Sequence, residues 1–136
     1  MTQQAEKLIE RPAAEVWARI SDFGDVSWIP GSGDCHVEDD TRVITMPSGF
    51  RIVHRLLEHD DATRTYRYEL ISALDLSSVY GPDHQVTRLR ARVHVEPRDD
   101  SSSLVTYETD THDWLVEASR KDFQAALDNL DALLTS

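Results

Sequence analysis

Cysteine is almost missing from this sequence: Cys35 stands alone among 136 residues. An internal disulfide is excluded, and a lone thiol fits a reducing, cytoplasmic setting. Basic residues are scarce too, 14 Lys and Arg against 25 Asp and Glu, for a net charge of −11. That field repels polyphosphates and anionic lipid, so nucleic acid is not an expected partner. No apolar run approaches the ~20 residues that cross a bilayer. The opening "MTQQAEKLIE" has neither the basic start nor the apolar stretch of a signal peptide. Glycine is sparse, and "GSG" at Gly31–Gly33 lacks the lysine of a phosphate loop and runs into Asp34. The six histidines show no tight metal-ligand spacing, Cys35 has no obvious activating base, and there is no nucleophile elbow. Neither a metal nor a cofactor is expected.

What is present is regular. At 40% hydrophobic residues the chain suits one domain spanning 1–136, burying roughly two-thirds of its unfolded surface. There is no repeat, linker or low-complexity segment. "EKLIERP" reads as a strand ending at Pro12. "AAEVWARISDF" places Val16, Trp17, Ile20 and Phe23 at helical spacing, with Pro12 suited to the first turn. "GDVSWIPG" follows as a second brief helical or turn segment.

Strand-like pieces then alternate with turns: "CHVED", "TRVITM", "FRIVHRLLE", "TRTYRYELI", "VTRLRARVHVEP" and "SLVTYETDT". From about Asp113 to Thr135, Val116, Phe123, Leu127, Leu130 and Leu134 make one apolar helical stripe. The order is α+β: a curved antiparallel sheet wrapped around the long C-terminal helix, with two short helices after the first strand. The arginines near position 90 face Glu69, Glu108 and Asp110 across neighbouring strands, which reads as a solvated ladder rather than a nucleic-acid stripe.

Parity defines the inner wall. Phe50, Ile52, His54, Leu56 and Glu58 share one face, as do Tyr66, Tyr68 and Leu70. Leu89, Ala91, Val93 and Val95 share another, and Val105, Tyr107, Thr109 and Thr111 a fourth. On parity, His54 and His59 fall on opposite faces. The wall is mostly apolar, with one imidazole and a few hydroxyls. This pattern describes a filled core as well as a pocket.

The opening "IERPAAEVWARISDFGDVSWIPG" resembles the start of bacterial polyketide cyclase/dehydrase-like proteins of the START-like, or SRPBCC (Bet v 1-like), superfamily. "VITMPSGFRIVHRLLEHDDATRTYRYELI" is similar to the same family's Pro-x-Gly loop, Arg-Leu strand, acidic turn and aromatic strand. It also resembles the plant abscisic-acid receptors of that superfamily, where the Pro loop gates a ligand cavity and a His-containing loop, here "GPDHQV", latches the gate. The resemblance implies a helix-grip fold with a hollow interior. The chain departs from it in four places. "SALDLSS" reads as an insertion, His54 stands where many relatives have Glu, Leu89 stands in place of a Tyr, and no hormone-binding lysine occurs near Gly33. Abscisic acid recognition is not implied.

With a hollow interior, the wall becomes a site for a hydrophobic small molecule, a polyketide, aromatic or lipid-like compound. An imidazole near its usual pKa of ~6.5 moves protons at neutral pH, and a tyrosine hydroxyl steadies a developing enolate. His54, Tyr68 and Tyr107 are the expected catalytic residues for a cofactor-free cyclisation or dehydration. Phe50, Ile52, Leu56, Tyr66, Leu89, Ala91 and Thr109 are expected to touch ligand, with Pro47 and His84 in covering loops. Two alternatives stay open: a carrier or sensor without chemistry, and a ligand-gated protein-interaction domain docking through Pro47 and His84. The chain is expected to be a monomer or homodimer.

Overall fold

Alternating apolar and polar residues pair into strands, and the apolar stripe of the last segment fills the trough they form. The computed structural model describes residues 2–135; Met1 and Ser136, the ends of the expected 1–136 unit, lie outside the described residues. The elements are β1 (Thr2–Ile9), α1 (Ala13–Ile20), β2 (Asp34–Glu38), β3 (Thr41–Thr45), β4 (Arg51–Asp60) and β5 (Thr65–Leu70). There follow β6 (Leu74–Asp75), α2 (Ser77–Tyr80), β7 (Gln85–Val86), β8 (Leu89–Asp99), β9 (Ser102–Thr111) and α3 (Asp113–Thr135). Seven strands form one antiparallel sheet in the order β1-β9-β8-β5-β4-β3-β2, and β6 pairs with β7 apart from it. This is the curved sheet gripping a C-terminal helix.

Three details differ from the sequence reading. β1 starts at Thr2, because ladder bonding runs from Thr2 opposite Asp110 to Ile9 opposite Ser103. Its polar first half is held by the partner strand rather than by burial. Of the two short helices expected after the first strand, α1 forms, with the Pro12 carbonyl accepting the Glu15 and Val16 N–H groups. "GDVSWIPG" is instead a run of turns. The Asp22 and Asp25 carboxylates accept the Gly24 and Ser27 N–H groups at 2.9 and 3.0 Å, offering the backbone an alternative to helix. Gly33 follows: a Cβ there would sit 1.9 Å from the Thr45 carbonyl oxygen, so "GSG" lets the chain pass β3.

The third difference is a β-bulge. The β4–β5 register shifts between Leu56 and Glu58, so Leu56 opposes Tyr68 while His59 opposes Tyr66. Parity flips beyond the bulge. His59 therefore joins His54 on the concave face, 5.4 Å from the Trp17 ring, and bonds the Ser21 carbonyl at 2.9 Å. Glu58 leaves the inner face and pairs with Arg67.

The core is densest at one end. Ile9, Val16, Ile20, Val93, Val95 and Val105 meet Ala126, Leu127 and Leu130 of α3, all completely buried. On the convex face Arg90 approaches Glu69 at 3.5 Å and opposes Asp110, while Arg92 opposes Glu108. Among the described residues no helix is long and apolar enough to cross a membrane.

Candidate functional site

Towards the N-terminal half of α3 the sheet and helix separate around a cavity of about 430 Å³. Its apolar wall includes Ile44, Ile52, Leu70, Leu89, Leu115 and Phe123. Two further segments complete it. The β3–β4 hairpin closes tightly through Met46 N–H to Phe50 carbonyl and Gly49 N–H to Met46 carbonyl, both at 2.8 Å, and brings Met46 and Phe50 to the wall. The β6–α2–β7 segment adds Leu74, Leu76 and Val86.

The polar groups on the wall converge by strand register. Arg42 of β3 lies directly opposite His54 of β4, so the two share the concave face. Arg42 Nε–H donates to His54 Nδ1 at 3.1 Å, and Nη1 donates to the Phe23 carbonyl at 3.0 Å. The guanidinium lies over the Phe23 ring at 4.2 Å and the Tyr68 ring at 4.8 Å. Because Nδ1 is the acceptor, the His54 proton sits on Nε2. The His54 ring packs 4.4 Å from that of Tyr68, whose hydroxyl bonds the Tyr107 hydroxyl. Phe123 of α3 stacks on Tyr107 at 3.8 Å.

Burial governs the charges. It lowers His54 to about 3, helped by the Arg42 charge, so the imidazole is neutral at every ordinary pH. Burial also raises Tyr66, Tyr68 and Tyr107, which therefore stay protonated as hydroxyl donors. Asp122 of α3, on the same cavity wall, is shifted up by desolvation. A proton shuttle at pH 7 does not fit this His54; a fixed N–H donor does.

The structure brings His54, Tyr68, Tyr107, Phe50, Ile52 and Leu89 together on the wall. Leu56, Tyr66 and Ala91 pack into the dense core instead. Thr109 is completely buried off the cavity wall, its hydroxyl without a hydrogen-bond partner among the described residues. Pro47 is exposed at the tip of its hairpin, off the wall. His84 stands edge-on to Trp114 at 4.8 Å and donates from Nδ1 to the Gly81 and Pro82 carbonyls at 3.0 Å, holding its loop from outside the cavity. Sequence reasoning missed Arg42, Ser119 and Asp122. Arg42 shares parity with buried Ile44, but an arginine is expected outside, and only the pairing with β4 reveals it. Among the described residues no group of three or more His, Cys, Asp and Glu is placed to hold a metal ion.

The family described as "Polyketide cyclase / dehydrase and lipid transport" matches residues 2–135. No curated protein matches the sequence. Among solved structures, a protein from Bacillus thuringiensis superposes with a TM-score of 0.85 at 18% identity, covering 100% of both chains. The di-domain ARO/CYC BexL gives 0.78 at 17% identity, over 97% of this chain and 45% of BexL. Norcoclaurine synthase from Thalictrum flavum, in complex with dopamine and hydroxybenzaldehyde, gives 0.70 at 15% identity, over 99% of this chain and 86% of that one. At these identities the likeness is one of fold.

Proposed function

We propose, from the premise that the chain belongs to the polyketide cyclase/dehydrase and lipid transport family, that its cavity takes up an apolar small molecule and fixes one of its oxygens against His54. One observation carries this reading: an apolar wall around about 430 Å³ that converges on a neutral imidazole whose Nε2–H has no partner among the described residues. An apolar pocket with few, converging polar groups suits a polyketide, aromatic or lipid-like ligand. The bound aromatic compounds of norcoclaurine synthase support the class, since that fold accommodates them. The net charge of −11 weighs against nucleic acid.

A second reading, chemistry on the ligand, is favoured by Asp122. Asp122 borders the cavity from α3, and desolvation raises its carboxyl above the usual range, which suits a general base. On a poly-β-ketone, Asp122 takes a proton from the carbon between two carbonyls. His54 Nε2–H and a tyrosine hydroxyl hold the resulting enolate oxygen. The enolate carbon bonds to a distant carbonyl of the same molecule, and the new alkoxide takes back the proton held by Asp122. Asp122 then removes the second proton from that same carbon, a C=C bond forms as the C–O bond breaks, and the departing hydroxide takes that proton to leave as one water. The overall change is ring closure with loss of water, without redox.

Native mass spectrometry of the purified chain, followed by denaturation, tests the first reading. A co-purifying apolar compound, or a rise in melting temperature across a hydrophobic panel that is lost in Ile52→Trp, is the expected result. An empty chain that no member of the panel stabilises would refute it. Incubation with a linear triketone then separates carrier from enzyme. Loss of one water with the wild-type chain but not with Asp122→Asn supports catalysis, and unchanged triketone in both leaves a carrier.

A further inference from the structure

We infer that the cavity selects apolar organic anions, whose ionised oxygen docks on His54 Nε2–H with the Arg42 guanidinium behind the ring supplying the charge. The inference rests on the proposed ligand-binding function and names the ligand class it takes.

Arg42 is the starting point. It is 2% exposed, and no carboxylate among the described residues pairs with it. Every other arginine with an ion pair among those residues has it in solvent: Arg11 with Glu15, Arg19 with Asp25, Arg90 with Glu69, Arg120 with Glu117. In a chain with 25 acids and 14 bases, the one arginine buried among the described residues faces, among those residues, only neutral acceptors and ring faces. A buried cation is costly unless a counter-charge approaches it. The ring contacts and the Phe23 carbonyl offset part of that cost; an anion in the cavity offsets the remainder.

The hydrogen-bond direction says where the anion sits. Arg42 Nε–H is committed to His54 Nδ1, which fixes the proton on Nε2 and polarises the ring. Nε2–H is then a charge-assisted donor on the cavity wall, without a partner among the described residues, and charge-assisted bonds are the strong ones. The ring packs against Tyr68, whose hydroxyl and that of Tyr107 lie on the same wall. Among the described residues Asp122 is the one carboxylate on the wall, and it stands on α3, across from the β3–β4 pair that carries Arg42 and His54. The acidic exterior would otherwise turn anions away, so selection for them has to be built inside.

The test compares 2-naphthoate with 2-naphthamide, equal in apolar body and differing in charge, by calorimetric titration of the full chain near neutral pH. Wild-type protein is expected to prefer naphthoate by about tenfold or more, the scale of one hydrogen bond to a charged group. Arg42→Met is expected to erase the preference, and Arg42→Lys to keep part of it. The His54 Nε2 nitrogen resonance should move with naphthoate and hardly at all with naphthamide, a readout that needs no variant to fold. Equal affinity for both probes, or a preference surviving in Arg42→Met, would overturn the inference and leave the cavity reading intact. Binding of neither probe would overturn both.

Discussion

The two ends of α3 meet the same sheet and do different things. Around Ala126, Leu127 and Leu130 the helix is locked against β1 and β9 with no exposed side-chain surface. Around Leu115, Ser119 and Phe123 it stands off and borders open space. The apolar residues are of the same kind at both ends. The difference lies in what closes the trough. At the dense end α1 delivers Val16, Trp17 and Ile20 into it, whereas the other end is covered from the rim by the turn with Ile29, Pro30 and Ser32, the β3–β4 hairpin and the β6–α2–β7 segment. Packing density follows from which element reaches in, and a site exists where none does.

The sharpest way to break that comparison is to truncate one leucine at each end. Leu127→Ala should cost about 3 kcal/mol, as truncation in a closed core does. Leu115→Ala already has empty space on one side and should cost no more than about half of that. Urea denaturation of the two variants checks it, and equal losses would mean the cavity end is as tightly packed as the other.

Acid comes next in size. The unfolded His54 takes up a proton near 6.5, whereas burial and Arg42 hold the folded residue at about 3. A depressed folded value means that the stabilisation is present above pH ~6.5 and drains away as pH falls, by about 1.4 kcal/mol per unit. Between pH 6.5 and 5, His54→Phe should therefore lose stability less steeply than the wild-type chain. Parallel curves would show that His54 is not held neutral.

Smaller still is the tyrosine pair at the boundary between the two ends. Tyr68→Phe and Tyr107→Phe should each cost about 1 kcal/mol, because each strands the other's buried hydroxyl. The double variant should cost less than their sum, with a coupling of about 0.5 kcal/mol or more by denaturation. Strict additivity would place the hydroxyls out of contact. On the convex face Arg90→Ala should change stability by less than about 0.5 kcal/mol, since Arg90 is 63% exposed beside Glu69.

Much of this was legible beforehand. The alternation Leu89, Ala91, Val93, Val95 places that strand's inner face correctly, because period two is a local property of a pleated strand. The helical stripe from Val116 to Leu134 is local in the same sense, though Leu134 at its end is only half-buried. Failures cluster where a distant partner decides. The bulge at Leu56/Glu58 turns His59 inward, and no pattern within β4 announces an extra residue. Tyr66, Ala91 and Thr109 share parity with wall residues yet are buried off the cavity wall. Parity reports a face, not a position along it.

The sequence alone determined the α+β order of the main strands, the first helix and the terminal helix, the inner and outer faces of most strands, the acidic exterior and the family resemblance. Each of these is carried by neighbouring residues or by composition. Only the tertiary structure decided that Arg42 is buried against His54, that the histidine is neutral, and that the trough is filled at one end and open at the other. Those properties depend on register between strands and on which segments fold over the sheet, and so on contacts between residues far apart in the chain.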